Sequence, residues 1–513
     1  MQLDILWKTR WPKESQKFAR KSKVYKRGEK MAIAINREIA GNLDNPSAEL
    51  LNYCMAQHLN NKARLEKLSN YYDGKQEILN RTKEDDSAPN NKILINHAKY
   101  VVDMNVGFMV GNPIAYSASQ GNDISSILEE YDRIDIVSHD TELEKDLSTF
   151  GVGYELIYLR KVSETETETD VRCIDPRGIF LVTDDTIDKN PLFAVHVQPV
   201  YDLEGGIDHY LYKYYNDNRI ITFKSDTEGQ SGYTFVKALP HYFGRVPVIE
   251  YRNNEEKQGD FEQAISLIDA YNLLQSDRLN DKEAFVDAIL FIQGFMLDEE
   301  DGKALMEERM LQVTGTPSET AAGYLTKELN ENNVSMLRDA ILDDFHKVTY
   351  VPNMNDENFA GNVSGEAMKY KLFGLLQLMS VKSRYMIKGL RQRLEIFANI
   401  QNLKGPKVDV TGVEIKLKPN LPVNTSDTID QIVSAYNAGI LPLRFLLTWL
   451  PDISDVDEVL EQLNLEKEEA IALQQKAMGS QADDSHSDLD EEPDEEDEDE
   501  SKTVRRTDEN ERE

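Results

Sequence analysis

Gly151-Val-Gly153 is the first stretch of this 513-residue chain that resembles a reactive site, and it fails at its third position. A dinucleotide loop needs glycine again at 156, so that backbone can close on a pyrophosphate, and residue 156 is Leu. The other short signatures of phosphoryl, nucleophilic and metal chemistry do not occur: no Gly-x-x-x-x-Gly-Lys, no Gly-x-Ser-x-Gly, no His-Glu-x-x-His. Eight histidines are scattered without ligand spacing. Asp and Glu number 92, too many for one pair to single itself out as general acid and base. Cys54 and Cys173 are too few for a disulfide framework and are read as reduced thiols. Asn-x-Ser/Thr matches at Asn333, Asn362 and Asn424 carry no meaning in a chain read as intracellular. The sequence therefore predicts no catalytic residue, no metal ligand and no cofactor. It points to assembly or conduction, not to an enzyme.

The chemistry that remains is charge and hydrogen bonding presented on helices, and it concentrates between Asn333 and Lys404. Leu337, Ile341, Phe345 and Val348 recur at helical spacing, and Val351-Pro352 ends that pattern. A polar segment follows, Asn353-Met-Asn-Asp-Glu-Asn-Phe-Ala-Gly-Asn-Val-Ser364. From Gly365 the helical period resumes with Met368, Leu372, Leu375, Met379, Met386, Leu390, Leu394 and Phe397, a helix of roughly 55–60 Å at 1.5 Å per residue. Gly374 and Gly389 lie inside it, so a bend is expected near one of them. Its opposite face carries Lys369, Lys371, Lys382, Arg384, Lys388, Arg391 and Arg393 and is read as solvated.

Charge is distributed unevenly along the chain. Residues 1–30 hold ten Lys/Arg against three Asp/Glu, a net of +7, with Trp7, Trp11 and Pro12 among them. Residues 479–513 hold seventeen acids and four bases, a net of −13, and so few apolar residues that no core can form; this tail is read as disordered. Since the whole chain carries −34, the body between them carries −28. Such a body repels free DNA and is a poor reader of its sequence, though DNA can still move past it without sticking. No run of 18 apolar residues spans a membrane, and the basic start lacks the apolar core of a signal peptide.

The remaining elements follow from periodicity. Residues 31–72 read as helical, 80–92 as a loop, and His97 to Val110 as a helix closed by Gly111-Asn112-Pro113. Ile114–Ser117 reads as a strand, and 123–133 and 138–150 as helices. From Tyr154 to Tyr251 the period switches to two, giving strands at Tyr154–Leu159, Val171–Ile174, Ile179–Val182, Phe193–Val197, His209–Tyr215, Arg219–Lys224 and Tyr233–Lys237. An extended helix from Phe261 presents an acidic, amide-rich face: Asp269, Asn272, Asp277, Asn280, Asp281. Ala288–Phe295 and Gly323–Lys327 read as strands around a helix Asp301–Leu311, and Val413–Leu417 as one more strand. Thr428–Ala438, Leu443–Leu450 and Val456–Ala477 close the folded part as helices. The fold class is α+β, antiparallel sheet abutting helices.

This order, together with the wording of Asn96-His-Ala-Lys-Tyr-Val-Val-Asp-Met-Asn-Val-Gly-Phe-Met-Val-Gly-Asn-Pro113, Asp175-Pro-Arg-Gly-Ile-Phe-Leu-Val182, Phe261 to Asp281 and Val363-Ser-Gly-Glu-Ala-Met-Lys-Tyr370, resembles the portal proteins of tailed bacteriophages of the long-tailed, Gram-positive-host type, over residues 30–475. The resemblance implies a dodecameric ring around a DNA channel. It divides the chain into a basic arm (1–30) and a wing (31–255, with the long helix 365–404 and the strand 406–418). Stem helices (260–285 and 335–349), a clip (286–332), a tunnel loop (350–364), a helical crown (425–477) and the acidic tail (479–513) complete it. The loop's Asn353, Asn355, Asp356, Glu357, Asn358 and Asn362 would meet passing DNA, and Arg338, Asp339, Asp343 and Lys347 would face the channel from the stem. Asp269, Asp277 and Asp344 would line or neighbour it. The implied partners are double-stranded DNA without sequence specificity, the terminase large subunit, the head–tail adaptor, and the major capsid and scaffold proteins, with no membrane. The implied setting is the virion's capsid vertex, reached through assembly in the host cytoplasm. Read from the residues alone, an acidic α+β scaffold using its tail as an interaction arm is the alternative. It leaves the 333–404 arrangement without a purpose.

Overall fold

The structure, a computed structural model, describes residues 33–84, 88–118, 122–164, 166–229, 232–286, 289–293, 321–325, 331–354, 369–405, 407–421, 425–450 and 456–483. It divides into two compact units, Met1–Pro422 and Val423–Glu513.

In chain order the first unit builds β1 (Ile33–Ile35), α1 (Arg37–Ala40), α2 (Ala48–Tyr72), α3 (His97–Val110), β2 (Ala115–Ser117), α4 (Ser125–Arg133) and α5 (Ile136–Phe150). Eight strands follow: β3 (Val152–Lys161), β4 (Thr167–Ile174), β5 (Ile179–Asp184), β6 (Pro191–Tyr201), β7 (Ile207–Tyr215), β8 (Arg219–Ser225), β9 (Thr234–Pro240) and β10 (Val248–Arg252). Then come α6 (Ile265–Val286), β11 (Ile289–Gln293), β12 (Ala321–Leu325), α7 (Glu331–Thr349), α8 (Phe373–Lys404) and β13 (Glu414–Lys416). Helix starts follow capping chemistry: Ser47 Oγ accepts from the Leu50 amide at 3.2 Å, and Asn96 Oδ1 from the Lys99 amide at 3.1 Å. Gly151 closes α5 at φ +80°, a left-handed position where a Cβ would lie 2.2 Å from the Lys257 carbonyl oxygen.

The seven strands expected between Tyr154 and Tyr251 are present, and two more join them. β10 pairs antiparallel with β3, making the sheet β10-β3-β4. β1 lies parallel to β5 at the edge of the six-stranded sheet β1-β5-β6-β7-β8-β9. That corrects the helical reading from residue 31. Ile-Ala-Ile is too short for a helical turn, its branched residues suit a pleated edge, and the Asn36 that follows caps α1 by accepting from the Glu38 amide.

Two cores hold this unit. The larger joins α3, α5, α8 and the small sheet through Val101, Leu143, Ile157, Tyr251, Leu390 and Phe397. The other packs α2 on the six-stranded sheet through Cys54, Met55, Phe193 and Tyr214. β11 and β12 form a separate two-stranded ribbon with Ile289 opposite Leu325, and β13 pairs with β2. A bend is expected near Gly374 or Gly389; a break falls at Leu372, whose backbone (φ −88°, ψ 4°) interrupts the helix just before α8. α8 itself runs through Gly389; its 32 residues span about 48 Å. Start of the long helix at Gly365 and the helix Asp301–Leu311 lie outside the described residues.

The second unit holds α9 (Thr425–Asn437), α10 (Leu443–Leu447) and α11 (Val456–Asp483), with Ile432, Leu446 and Leu447 buried. α11 continues past Gly479, so the tail boundary set by composition comes too early: Gly479–Asp483 is helix. The basic arm and the rest of the acidic tail lie outside the described residues.

Candidate functional site

α6 and α7 pack side by side, and the chain leaves α7 toward the polar segment that the sequence singles out. α6 buries Ile268 and Tyr271 in the core, and farther along it is held by side-chain amides and a hydroxyl. Asn272 Oδ1 accepts from the Ile95 amide at 3.0 Å, Ser276 Oγ from the Ile93 amide at 2.9 Å, and Asn280 Oδ1 from the Asn91 amide at 2.7 Å. Steps of four residues on a helix advance about 6 Å, and steps of two on an extended chain about 6.6 Å, so the two registers match over three contacts. Residues 91–95 belong to no sheet, and without these acceptors the Asn91, Ile93 and Ile95 amides would be unpaired. Gln76 Oε1 then accepts from Asn272 Nδ2 at 2.7 Å, extending the network inward.

This packing engages Asp269 and Asp277 within the protomer. Asp269 accepts from the Tyr71 hydroxyl at 2.7 Å, and Asp277 pairs with Arg81 at 2.7 Å. Both therefore face α2 and the segment after it. Burial and the Asp269 carboxylate raise the Tyr71 hydroxyl well above a free phenol.

α7 behaves differently. It buries Phe345 and Thr349 and leaves Asp339, Asp343, Asp344 and Lys347 exposed. Arg338 is half-buried and pairs with its neighbour Asp339 at 2.7 Å, while Lys347 stands 3.6 Å from Asp344. Leu337 and Val348, which share the apolar period with buried Phe345, are 52% and 42% exposed. So the four stem candidates share one helix, and three of them stand free of the core of the protomer.

The root of the polar segment is built tightly. Tyr350 takes φ +60°, the left-handed region where Gly is the usual helix terminator. Val351 then turns fully into the core. The Val351 carbonyl lies 2.8 Å from His346 Nδ1, and the Pro352 carbonyl accepts from the Tyr100 hydroxyl at 2.8 Å. Behind them His97 is wedged between Tyr271 and Phe345, at 4.8 and 4.9 Å between ring centroids. Burial, and then the neighbouring His346, push its imidazole down to about 4, so it is neutral at physiological pH. Asn353 is half-buried at this root; Asn355, Asp356, Glu357, Asn358 and Asn362 lie outside the described residues.

On α8 the expected solvated face is only partly solvated. Lys382 and Arg393 are buried. Lys382 Nζ sits 2.7 Å from both Glu144 and Asp260, and Arg393 pairs with Asp140 at 2.7 Å and with Glu155. Burial drives Glu144 up to about 7 against the pull of Lys382. Burial drives Glu155 up as well, but Arg393 and His139 together outweigh it and hold that carboxyl at about 2. No signal in the sequence marks these two cations apart from their exposed neighbours.

Among the described residues no group of three or more His, Cys, Asp and Glu is arranged to hold a metal, and no helix is long and apolar enough to cross a membrane. The cysteines are free.

Residues 51–472 match the family model for phage portal proteins of the SPP1 Gp6-like type. The portal protein of Bacillus phage SPP1 is 23% identical over 426 residues, covering 79% of this chain and 81% of that protein. The portal protein of Clostridium phage phiCD119 is 27% identical over 243 residues, 46% of this chain and 51% of that one. Among solved structures, a chain from the neck of an empty gene transfer agent particle aligns with a TM-score of 0.37 at 12% identity, covering 67% of this chain and 86% of that one. A chain from the native particle aligns at 0.34 and 11%, covering 67% and 84%.

Proposed function

The chain belongs to the SPP1 Gp6-like family of phage portal proteins, structural components at the capsid vertex of the virion head, and from that premise we propose that twelve copies close into a ring whose channel carries double-stranded DNA in both directions. The wing is 31–255 with 365–404 and 406–418, the stem 260–285 and 335–349, the clip 286–332, the tunnel loop 350–364 and the crown 425–477. The clip meets the terminase large subunit during packaging and the head–tail adaptor afterwards. Scaffold and major capsid proteins surround the ring, which assembles in the host cytoplasm. No step is catalysed by this chain; hydrolysis belongs to the motor.

The observation that carries this reading is the anchored root at Tyr350–Asn353. A helix that ends in a left-handed Tyr, followed by two carbonyls tied to His346 and Tyr100, fixes the point from which the polar segment leaves. Asn353, Asn355, Asp356, Glu357, Asn358 and Asn362 make that segment a hydrogen-bonding surface without a multi-cation grip, suited to brief contact with a moving duplex. On α7, Asp339 and Asp343 one turn apart would line the channel and discourage adhesion, while Arg338 and Lys347 touch phosphates transiently. Asp269 and Asp277, being engaged elsewhere, take no part.

Deleting Asp356–Gly361 tests the assignment. Rings of about 700 kDa, twelve times the 58.6 kDa subunit, should still form. DNA packaging or retention should be lost, and normal packaging by that variant would refute the loop's role.

A further inference from the structure

α8 and the turn before it carry one face that the described residues leave uncovered. Tyr370, in the turn before α8, stands 81% exposed, and Phe373 and Val381 on α8 stand 56% and 48% exposed. Continuing along the same line at helical spacing, Arg384, Lys388 and Arg391 are exposed too. Among the described residues none of these three bases has an ion-pair partner. In a chain with 92 acidic residues against 58 basic ones, such a row is unusual. Apolar residues at one end and unpaired cations at the other describe a surface that water serves poorly.

The complementary combination appears on α7. Leu337, Asp344 and Val348 follow one another at helical spacing and are exposed. Among the described residues Asp344 has only the loose, solvent-exposed contact to Lys347, a pair worth little in water. This face lies well round the helix from Asp339 and Asp343, so it does not compete with a channel lining.

We propose that the two faces are halves of one contact between copies of this chain, the α8 row of one subunit seating the Leu337–Asp344–Val348 face of α7 from the next. Apolar meets apolar, and Asp344 supplies charge to the Arg384–Lys388 end. The contact joins two different surfaces, so it is head-to-tail and propagates around a closed ring. The inference rests on the ring reading above and adds which surfaces close it.

The test reverses charge at exposed positions that no core uses. Arg384→Glu with Lys388→Glu is purified beside the unaltered protein and followed by native mass and by thermal unfolding. We expect unchanged unfolding but at least a tenfold drop in the ring fraction at low ionic strength. Adding Asp344→Lys to the same chain should recover a large part of it, because the attraction is restored with signs exchanged. Rings that close as well in the reversed variant as in the original overturn the inference, as does a triple variant that recovers nothing. Reversed rings that close but bind or package less DNA overturn it too, and make the row a surface for nucleic acid. Failure of the unaltered protein to close rings at all would instead count against the ring reading, so the two failures are distinguishable.

Discussion

Arg393 holds its guanidinium Nε 3.0 Å from Glu155 Oε1 and 2.9 Å from Oε2, and neither side chain reaches solvent. The two residues are 238 positions apart, one on α8 and one on β3. Asp140, from α5, takes another nitrogen of the same group at 2.7 Å, and the Tyr251 hydroxyl donates to Glu155 at 3.1 Å. One cation thus ties the long helix to the small sheet and to α5. A buried cluster of this kind adds little net stability over a packed apolar one, but it is costly to break in part.

Arg393→Met should therefore cost about 3–5 kcal/mol, because it leaves Asp140 and Glu155 buried without their counter-charge. Urea unfolding measures it. Replacing the cluster as a whole, Arg393→Met with Glu155→Met and Asp140→Leu, should recover most of the loss. A single variant as stable as the original would show that the carboxylates find other partners.

Glu144 and Glu155 predict opposite responses to pH. Glu144 is raised to about 7, so in folded protein it holds its proton through a window where the unfolded chain, titrating near 4.5, has lost it. Its contribution is fully present below the unfolded value and is lost as pH rises through 7. Glu155 is depressed to about 2, so its contribution is present above 4.5 and is lost as pH falls toward 2. Glu144→Gln should thus gain stability relative to the original protein between pH 5 and 8, by up to about 3 kcal/mol. Parallel stability–pH curves for the two proteins would contradict the raised carboxyl.

What was legible in the sequence is what local pattern encodes. The α3 boundaries follow from Asn96 at one end and Gly111-Asn112-Pro113 at the other. The strands from Tyr154 follow from period two, and the resemblance names the portal family that the residues 51–472 match then shows. Long-range pairing was not legible. Lys382 and Arg393 look like Arg384 and Lys388 in a helical wheel, because only the fold brings Glu144, Asp260, Asp140 and Glu155 to them. The partners of Asp269 and Asp277 were hidden for the same reason: Tyr71 and Arg81 lie on α2 and the segment after it. Leu337 and Val348 share the apolar period yet stay exposed. Apolar period reveals that a face needs cover, but not whether the cover is the chain's own core.

The match between α6 and residues 91–95 predicts local protection. Ser276→Ala would remove the acceptor from the Ile93 amide, and Asn272→Ala that from Ile95, each leaving a donor unpaired at a cost of about 1–3 kcal/mol. Hydrogen exchange at those two amides should accelerate at least tenfold in the matching variant and little at Asn91. Uniform acceleration across residues 88–96 would mean that the segment detaches as a unit, so that the contacts act together.

Gly389 makes the last prediction, because it is where α8 touches β10. A Cβ there would lie 2.3 Å from Tyr251 Cε1, closer than any real contact, while the surrounding helix is uninterrupted. In an exposed helix Gly→Ala stabilises by about 1 kcal/mol, so a gain is the expectation from propensity alone. Here the added methyl must displace a buried ring whose hydroxyl already holds Glu155, and overpacking costs about 1–3 kcal/mol. Gly389→Ala should be destabilising, and Tyr251→Leu in the same chain should relieve part of the clash while losing the hydroxyl. A thermal midpoint for Gly389→Ala at or above that of the original protein would show that α8 can move off the sheet, and that Tyr251 does not fix the distance between them.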